Sequence, residues 1–213
     1  MSNEALLSFA MFALVTSITP GPNNILLMTS GVNHGFLRTV PHLSGVSIGF
    51  AILFLGTGLG LGELFTRLPV VYEVMRWVAI AYFLHLAWRL STTSAYSDNP
   101  EAAHAPTAKV WRFHEGFAFQ WINPKVWIMA IGAFSRYVPI GQGTGAIVRA
   151  TIIFTVIGIP CSVAWVLFGS RMRRYLLQGH RRRVFNIGMA TLLLASLAPL
   201  VGADTALSIP EEL

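Results

Sequence analysis

Residues 6–31 read LLSFAMFALVTSITPGPNNILLMTSG, an apolar run interrupted near its middle by Thr19-Pro20-Gly21-Pro22-Asn23-Asn24. About 20 apolar residues suffice to cross the hydrocarbon of a bilayer, so the run predicts a membrane-spanning helix. The interruption predicts that the helix is broken. Proline has no amide hydrogen and clashes with the preceding turn, and two prolines flanking a glycine leave no continuous ladder. Backbone groups freed at that depth must be buried in protein or face a water-filled cavity. A helix resuming after Pro22 presents unpaired amides and the positive end of its dipole, which suits an anion such as a carboxylate.

The rest of the chain repeats the pattern. Of the 213 residues, 54% are hydrophobic and 11% charged, against about 25% charged in an ordinary soluble domain. A soluble chain this short has too little interior for so much apolar surface. Further apolar runs at 40–62, 70–90, 116–134, 146–168 and 184–201 bring the expected spans to six. They are expected to be helices, because amides in lipid must be satisfied within the segment, and they lack the two-residue alternation of a membrane β-barrel. The polar stretch 91–112, with Asp98, Asn99, Pro100 and Glu101, divides the chain. The predicted organisation is a three-helix repeat over 1–95, a polar cytoplasmic linker at 96–113 and a second three-helix repeat over 114–213. An odd number of spans per half makes the second half enter from the opposite side. The expected fold class is therefore all-α: a polytopic membrane protein whose six transmembrane helices form two inverted three-helix repeats.

Charge placement sets orientation. The net charge of +6 could suggest nucleic acid, but the cations sit in short blocks between apolar runs rather than on a basic face, so no nucleic-acid partner is expected. One set of connections carries ten cations: Arg38; Arg89, Lys109 and Arg112; Arg171, Arg173, Arg174, Arg181, Arg182 and Arg183. The opposite set carries four, Arg67, Arg76, Arg136 and Arg149. The richer set is expected in the cytoplasm, with both termini outside. Residues 1–4 carry no positive charge, so the first run reads as a retained helix rather than a cleaved signal. A single cysteine, Cys161, excludes an intramolecular disulfide and a multi-cysteine metal site. No metal or cofactor is expected.

A second break, Gln120-Trp121-Ile122-Asn123-Pro124-Lys125, lies inside the fourth run, the first of the second half, as the earlier break lies in the first run of its half. Lys125 is unusual, because a cation near mid-bilayer costs about 2.5–3.5 kcal/mol on insertion scales. Glu63, Glu73 and Glu115 all lie near the ends of runs, so the counter-charge left to Lys125 is a substrate carboxylate. The competing reading has the lysine snorkelling to an interface or capping helix carbonyls. The candidate substrate site is Pro20, Gly21, Pro22, Asn23 and Asn24 with Gln120, Trp121, Asn123, Pro124 and Lys125; the amides offer both donors and acceptors to a zwitterion. His42 and His85 are the candidate proton-coupling groups, being titratable near neutral pH in runs without deep carboxylates; an ordinary hydrogen-bonded histidine is the competing reading for each. Gly45 and Gly49, a small-xxx-small pair, are candidate helix-packing residues. The alternating Gly56, Gly58, Gly60 and Gly62 read as a loosely packed helix end.

At these residues the sequence resembles the LysE/RhtB family of amino-acid exporters. The matching stretches are Thr19-Pro20-Gly21-Pro22-Asn23, then Gly31-Val32-Asn33-His34-Gly35-Phe36 with His42-Leu43-Ser44-Gly45-Val46-Ser47-Ile48-Gly49, and Gln120-Trp121-Ile122-Asn123-Pro124-Lys125. Within that family it is most similar to the branch of small exporters linked to cysteine, O-acetylserine and homoserine-type substrates. The resemblance implies efflux of amino acids or close derivatives across a bacterial inner membrane, driven by the proton motive force. The expected function is thus a secondary transporter working by alternating access, not an enzyme. Its partners are a small amino-acid substrate and the lipid bilayer, and the sequence leaves room for a homo-oligomer. A membrane-embedded enzyme, and a channel or scaffold without carrier activity, are the alternatives.

Overall fold

A computed structural model describes residues 3–63, 67–92, 110–138, 143–176 and 179–198. The eight α-helices among them are α1 (Asn3–Ile18), α2 (Pro22–His34), α3 (Phe36–Gly56), α4 (Pro69–Thr92), α5 (Phe113–Ile122), α6 (Pro124–Tyr137), α7 (Gly143–Leu176) and α8 (Gly179–Ala195). The 96–113 linker, apart from residues 110–113, and the expected end of the last span lie outside the described residues.

Both expected breaks are present. α1 and α2 are bent by 51° across residues 19–21. Pro22 takes the first position of α2, where its missing N–H is no loss. Gly21 precedes it in an extended conformation, as proline demands of its predecessor. α5 ends at Ile122, and α6 starts at Pro124 behind an extended Asn123 that accepts a hydrogen bond from the Lys125 backbone N–H. α3 continues through a π-helical turn at Thr57–Leu61, in which Gly60 has a positive φ of 115°. The packing here is mixed: a Cβ on Gly58 would lie 2.5 Å from both Ile147 and Phe134, whereas one on Gly60 would meet nothing within 4 Å.

The described residues hold two helical stretches long and apolar enough to cross a membrane unaided, Phe36–Leu61 and Gly143–Leu176, and a third if α1 and α2 form one bent span. The remaining expected crossings differ for visible reasons. α4 carries Glu73, Arg76 and Arg89, the fourth run is divided at Asn123, and the apolar part of α8 is the 13 residues Arg183–Ala195. Large apolar side chains point outward all around the molecule, among them Leu7, Leu37, Ile52, Val70, Trp88 and Val156, which is what a surface solvated by lipid requires and water does not tolerate.

The helices pack across the two halves. α2 lies along α7, α5 along α3, and α4 along α8. Glycines allow the first two approaches. A Cβ on Gly169 would meet the Met28 carbonyl and one on Gly31 the Val166 carbonyl, both where α2 meets α7. A Cβ on Gly45 would meet the Phe113 carbonyl and one on Gly116 the His42 carbonyl, where α3 meets α5. Gly49 faces Phe117 and Gln120 on the same seam. These seams lie toward the end of the molecule where Arg171, Arg173 and Arg174 close α7. The opposite end is filled by an aromatic cluster of Phe9, Phe12, Phe50, Phe54, Phe134, Tyr137 and Phe154.

Candidate functional site

A broken helix leaves orphan carbonyls, and the destination of those at the end of α1 defines the site. Asn24 reaches back from α2 and donates its amide to the carbonyls of Ser17 (2.8 Å) and Thr19 (3.0 Å). Trp165 of α7 donates its indole N–H to the carbonyl of Ile18 at 3.2 Å. Lys125 of α6 donates its ammonium to the carbonyl of Thr19 at 3.0 Å. Thr19 also folds its own hydroxyl back onto Val15. The lysine therefore takes up the carbonyl-capping role of its competing reading. It caps the negative end of a helix from the other half of the chain, a favourable placement for a cation, and its stem and ammonium lie against Gly21, where a Cβ would come within 2.8 Å of them.

The breaks are joined a second time. Asn23 and Gln120 form a reciprocal amide pair: Asn23 Nδ2 donates to Gln120 Oε1 at 2.7 Å, and Gln120 Nε2 donates to Asn23 Oδ1 at 3.1 Å. Gln120 Nε2 also donates to its own helix at Gly116. Gln120 is fully buried. Removing either partner strands an amide, which costs about 1–3 kcal/mol. Asn23→Ala and Gln120→Ala are each expected to lower stability by about that much, and the double variant by clearly less than the sum. Thermal melts of the four proteins in one detergent measure the cycle; additive losses would mean the pair does not form.

Between the breaks lies a cavity of about 60 Å³. At about 10–15 Å³ per water it holds a few waters. One wall is Gly21, Asn23 and Asn24, the opposite wall Asn123, Lys125, Val126 and Met129. It touches the aromatic cluster at Phe50 and, at Val46, a smaller apolar cluster with Leu27 and Val166. The amides of Asn23 and Asn24 stand in the first turn of α2, and Gly21 supplies no side-chain cap to it. Asn123 uses its side-chain oxygen on the Lys125 N–H, so its Nδ2 is the group it can offer a ligand.

Ile159 and the small or hydroxylated residues Thr16, Ser17, Ser47, Thr155, Gly158 and Ser162 complete the lining. Sequence reasoning missed them, because a lone hydroxyl in an apolar helix usually bonds its own i−4 carbonyl, as Thr16 and Ser47 do here. Thr155 is the exception, with a buried hydroxyl that lacks a partner. The spacing of Thr155, Gly158 and Ser162 on one face of an otherwise apolar helix was the available signal.

Several expected site residues stand elsewhere. Pro20 is exposed and, like Pro22 and Pro124, shapes a break without lining the cavity. Trp121 packs against Trp127, whose indole N–H donates to the Trp121 carbonyl. His42 is fully buried against Trp111 (ring centroids 4.8 Å apart), with neither ring nitrogen hydrogen-bonded. His85 lines a different cavity. Among the described residues no cluster of His, Cys, Asp or Glu could hold a metal.

Residues 14–201 match the family described as LysE type translocator. The chain belongs to the LysE family. Proteins named cysteine/O-acetylserine efflux protein from Salmonella choleraesuis and from Escherichia coli are each 32% identical to it over 197 residues, covering 91% of this chain and 95% of theirs. No solved structure matches the chain. As a LysE translocator it is a membrane transport protein and not an enzyme, which sets aside the membrane-embedded enzyme.

Proposed function

We propose that this LysE protein is a secondary exporter of small amino acids or close derivatives, working by alternating access across a bacterial inner membrane and driven by the proton motive force. The observation that carries the reading is that one small cavity is lined from both helix breaks, one in each half of the chain. A substrate carboxylate fits between the first amides of α2 and the Lys125 ammonium. Its ammonium group meets acceptors from Asn24 Oδ1 and from the hydroxyls of Ser17, Ser47 and Thr155. Its side chain lies among Phe50, Val126, Met129 and Ile159. The small volume favours substrates such as cysteine and O-acetylserine, the two that name the relatives.

In this reading the molecule has six spans in two inverted repeats. The cross-half packing of α2 on α7 and α5 on α3 supports it: in each half the broken helix lies against the second helix of the other. The arginine-rich end faces the cytoplasm and both termini face outward. The aromatic cluster closes the outer side of the cavity; the glycine seams and the Asn23–Gln120 pair close the inner side. Transport then requires these two closures to open in turn.

The test uses proteoliposomes loaded with radiolabelled O-acetylserine. Saturable efflux that accelerates under an imposed proton gradient and stops with a protonophore is expected. Efflux that never saturates, at rates far above carrier turnover, would identify a channel instead; no flux for any small amino acid would remove the reading.

A further inference from the structure

A second cavity, of about 200 Å³, lies toward the arginine-rich end, where α2, α4 and the start of α5 meet. Its wall carries charges of both signs, Arg89 from α4 and Glu115 from α5, with the Tyr82 phenol and the His85 ring beside them. The α2 wall adds two buried polar atoms without a hydrogen-bond partner, Thr29 Oγ1 and Asn33 Oδ1. Thr29 is only 6% exposed. Buried polar atoms are normally matched, so a pair of unmatched ones at the wall of one cavity indicates a place built for a polar occupant.

The cavity also has a position on a route. Asn23, Leu26, Ser30 and Asn33 recur at helical spacing along one face of α2. Asn23 lines the central cavity, and the other three line the second one. Asn23 is also the residue paired with the fully buried Gln120, which lines neither cavity.

We propose that the second cavity is a loading site for the zwitterion of a small amino acid. Arg89 receives the carboxylate, Glu115 receives the ammonium group, and Thr29 and Asn33 supply the remaining hydrogen bonds. The occupant then passes the Asn23–Gln120 pair into the central cavity. This rests on the exporter reading and adds to it a second point of recognition that admits a molecule carrying both charges and discriminates against one carrying a single charge.

The test is equilibrium dialysis of radiolabelled O-acetyl-L-serine against the purified full chain in lipid-free detergent. Two bound molecules per chain are expected. Arg89→Gln and Glu115→Gln should each weaken one of the two by at least about tenfold, and Arg89→Lys should recover most of that loss. Glu115→Gln keeps an oxygen for the Arg112 backbone N–H that Glu115 now accepts at 2.8 Å, so the start of α5 is retained. Asn123→Ala should weaken only the other molecule. One bound molecule per chain, lost in Asn123→Ala and indifferent to Arg89→Gln, would overturn the loading site and leave the exporter standing. No binding at all would overturn both. A phosphatidylethanolamine headgroup carries the same two charges; displacement of the ligand by its short-chain form at a lower concentration than by the amino acid would reassign the cavity to lipid and overturn the proposal.

Discussion

Lys125→Met is expected to lower amino-acid efflux in proteoliposomes by about ten- to a hundredfold while leaving the protein folded. Two losses combine. The Thr19 carbonyl loses the ammonium that caps it at 3.0 Å, and a hydrogen bond to a charged group is worth about 1.5–3 kcal/mol. That loss falls on stability; the same energy, applied to the charge-assisted bond between the ammonium and the substrate carboxylate, spans the stated range at about 1.4 kcal/mol per decade. The substrate carboxylate loses the cation facing it across the cavity, an interaction strengthened by the low dielectric of a closed site. The fold survives because Asn24 still donates to the same carbonyl and methionine keeps most of the apolar stem. Lys125→Arg is expected to fail as well. A planar guanidinium does not fit the space beside Gly21, where even a Cβ would come within 2.8 Å of the present lysine. Efflux rates at saturating and at low substrate separate the effects: a loss confined to low substrate assigns Lys125 to binding, an equal loss at both assigns it to the transport step, and undiminished rates would remove it from the site.

The second large effect is on stability. Gly45→Ala is expected to destabilise the protein by about 1–3 kcal/mol or more. The added methyl lands on the Phe113 carbonyl, a backbone atom that cannot swing aside, so α3 and α5 must separate along the seam that holds Gln120. Gly169→Ala should behave alike against the Met28 carbonyl of α2. Gly132→Ala is the control, because nothing lies within 4 Å of the Cβ it would add. A fluorescence-detected thermal melt of all three in one detergent gives the comparison. Equal melting of Gly45→Ala and Gly132→Ala would show that the close seam is not present.

Much of this was legible in the sequence for a physical reason. The two breaks are written in residue types that leave the backbone few options: a helix resuming after Pro22 was expected, and α2 and α6 start at Pro22 and Pro124 themselves. Gly45 and Gly49 were likewise readable as sites of close packing, though not their partner: that the helix they admit comes from the other half is a property of tertiary assembly. The role of Lys125 was half readable. Its need for a partner followed from its place in an apolar run, and carbonyl capping was the competing reading, but the Thr19 carbonyl that receives it lies 106 positions earlier. The hydroxyls of the cavity were barely readable: serine and threonine satisfy themselves within a helix almost anywhere, and the spacing of Thr155, Gly158 and Ser162 was the one hint of a shared face. The second cavity was missed because its charges, Arg89 and Glu115, sit at the ends of runs, where they look like topology signals. Six crossings were expected from hydropathy alone. Helices divided at Asn123 or carrying Glu73 and Arg76 depart from the long, uniformly apolar helix that such counting assumes.

The convergence of two interrupted helices on one substrate is tested most directly by photo-crosslinking. A small diazirine-bearing amino acid, bound to the purified protein and irradiated, is mapped by mass spectrometry of the peptides. The expected result is label in residues 16–24 and also in residues 123–129, with both signals competed away together by excess unlabelled O-acetylserine. Label in only one of these two segments, or label in both that excess ligand does not displace, would contradict it.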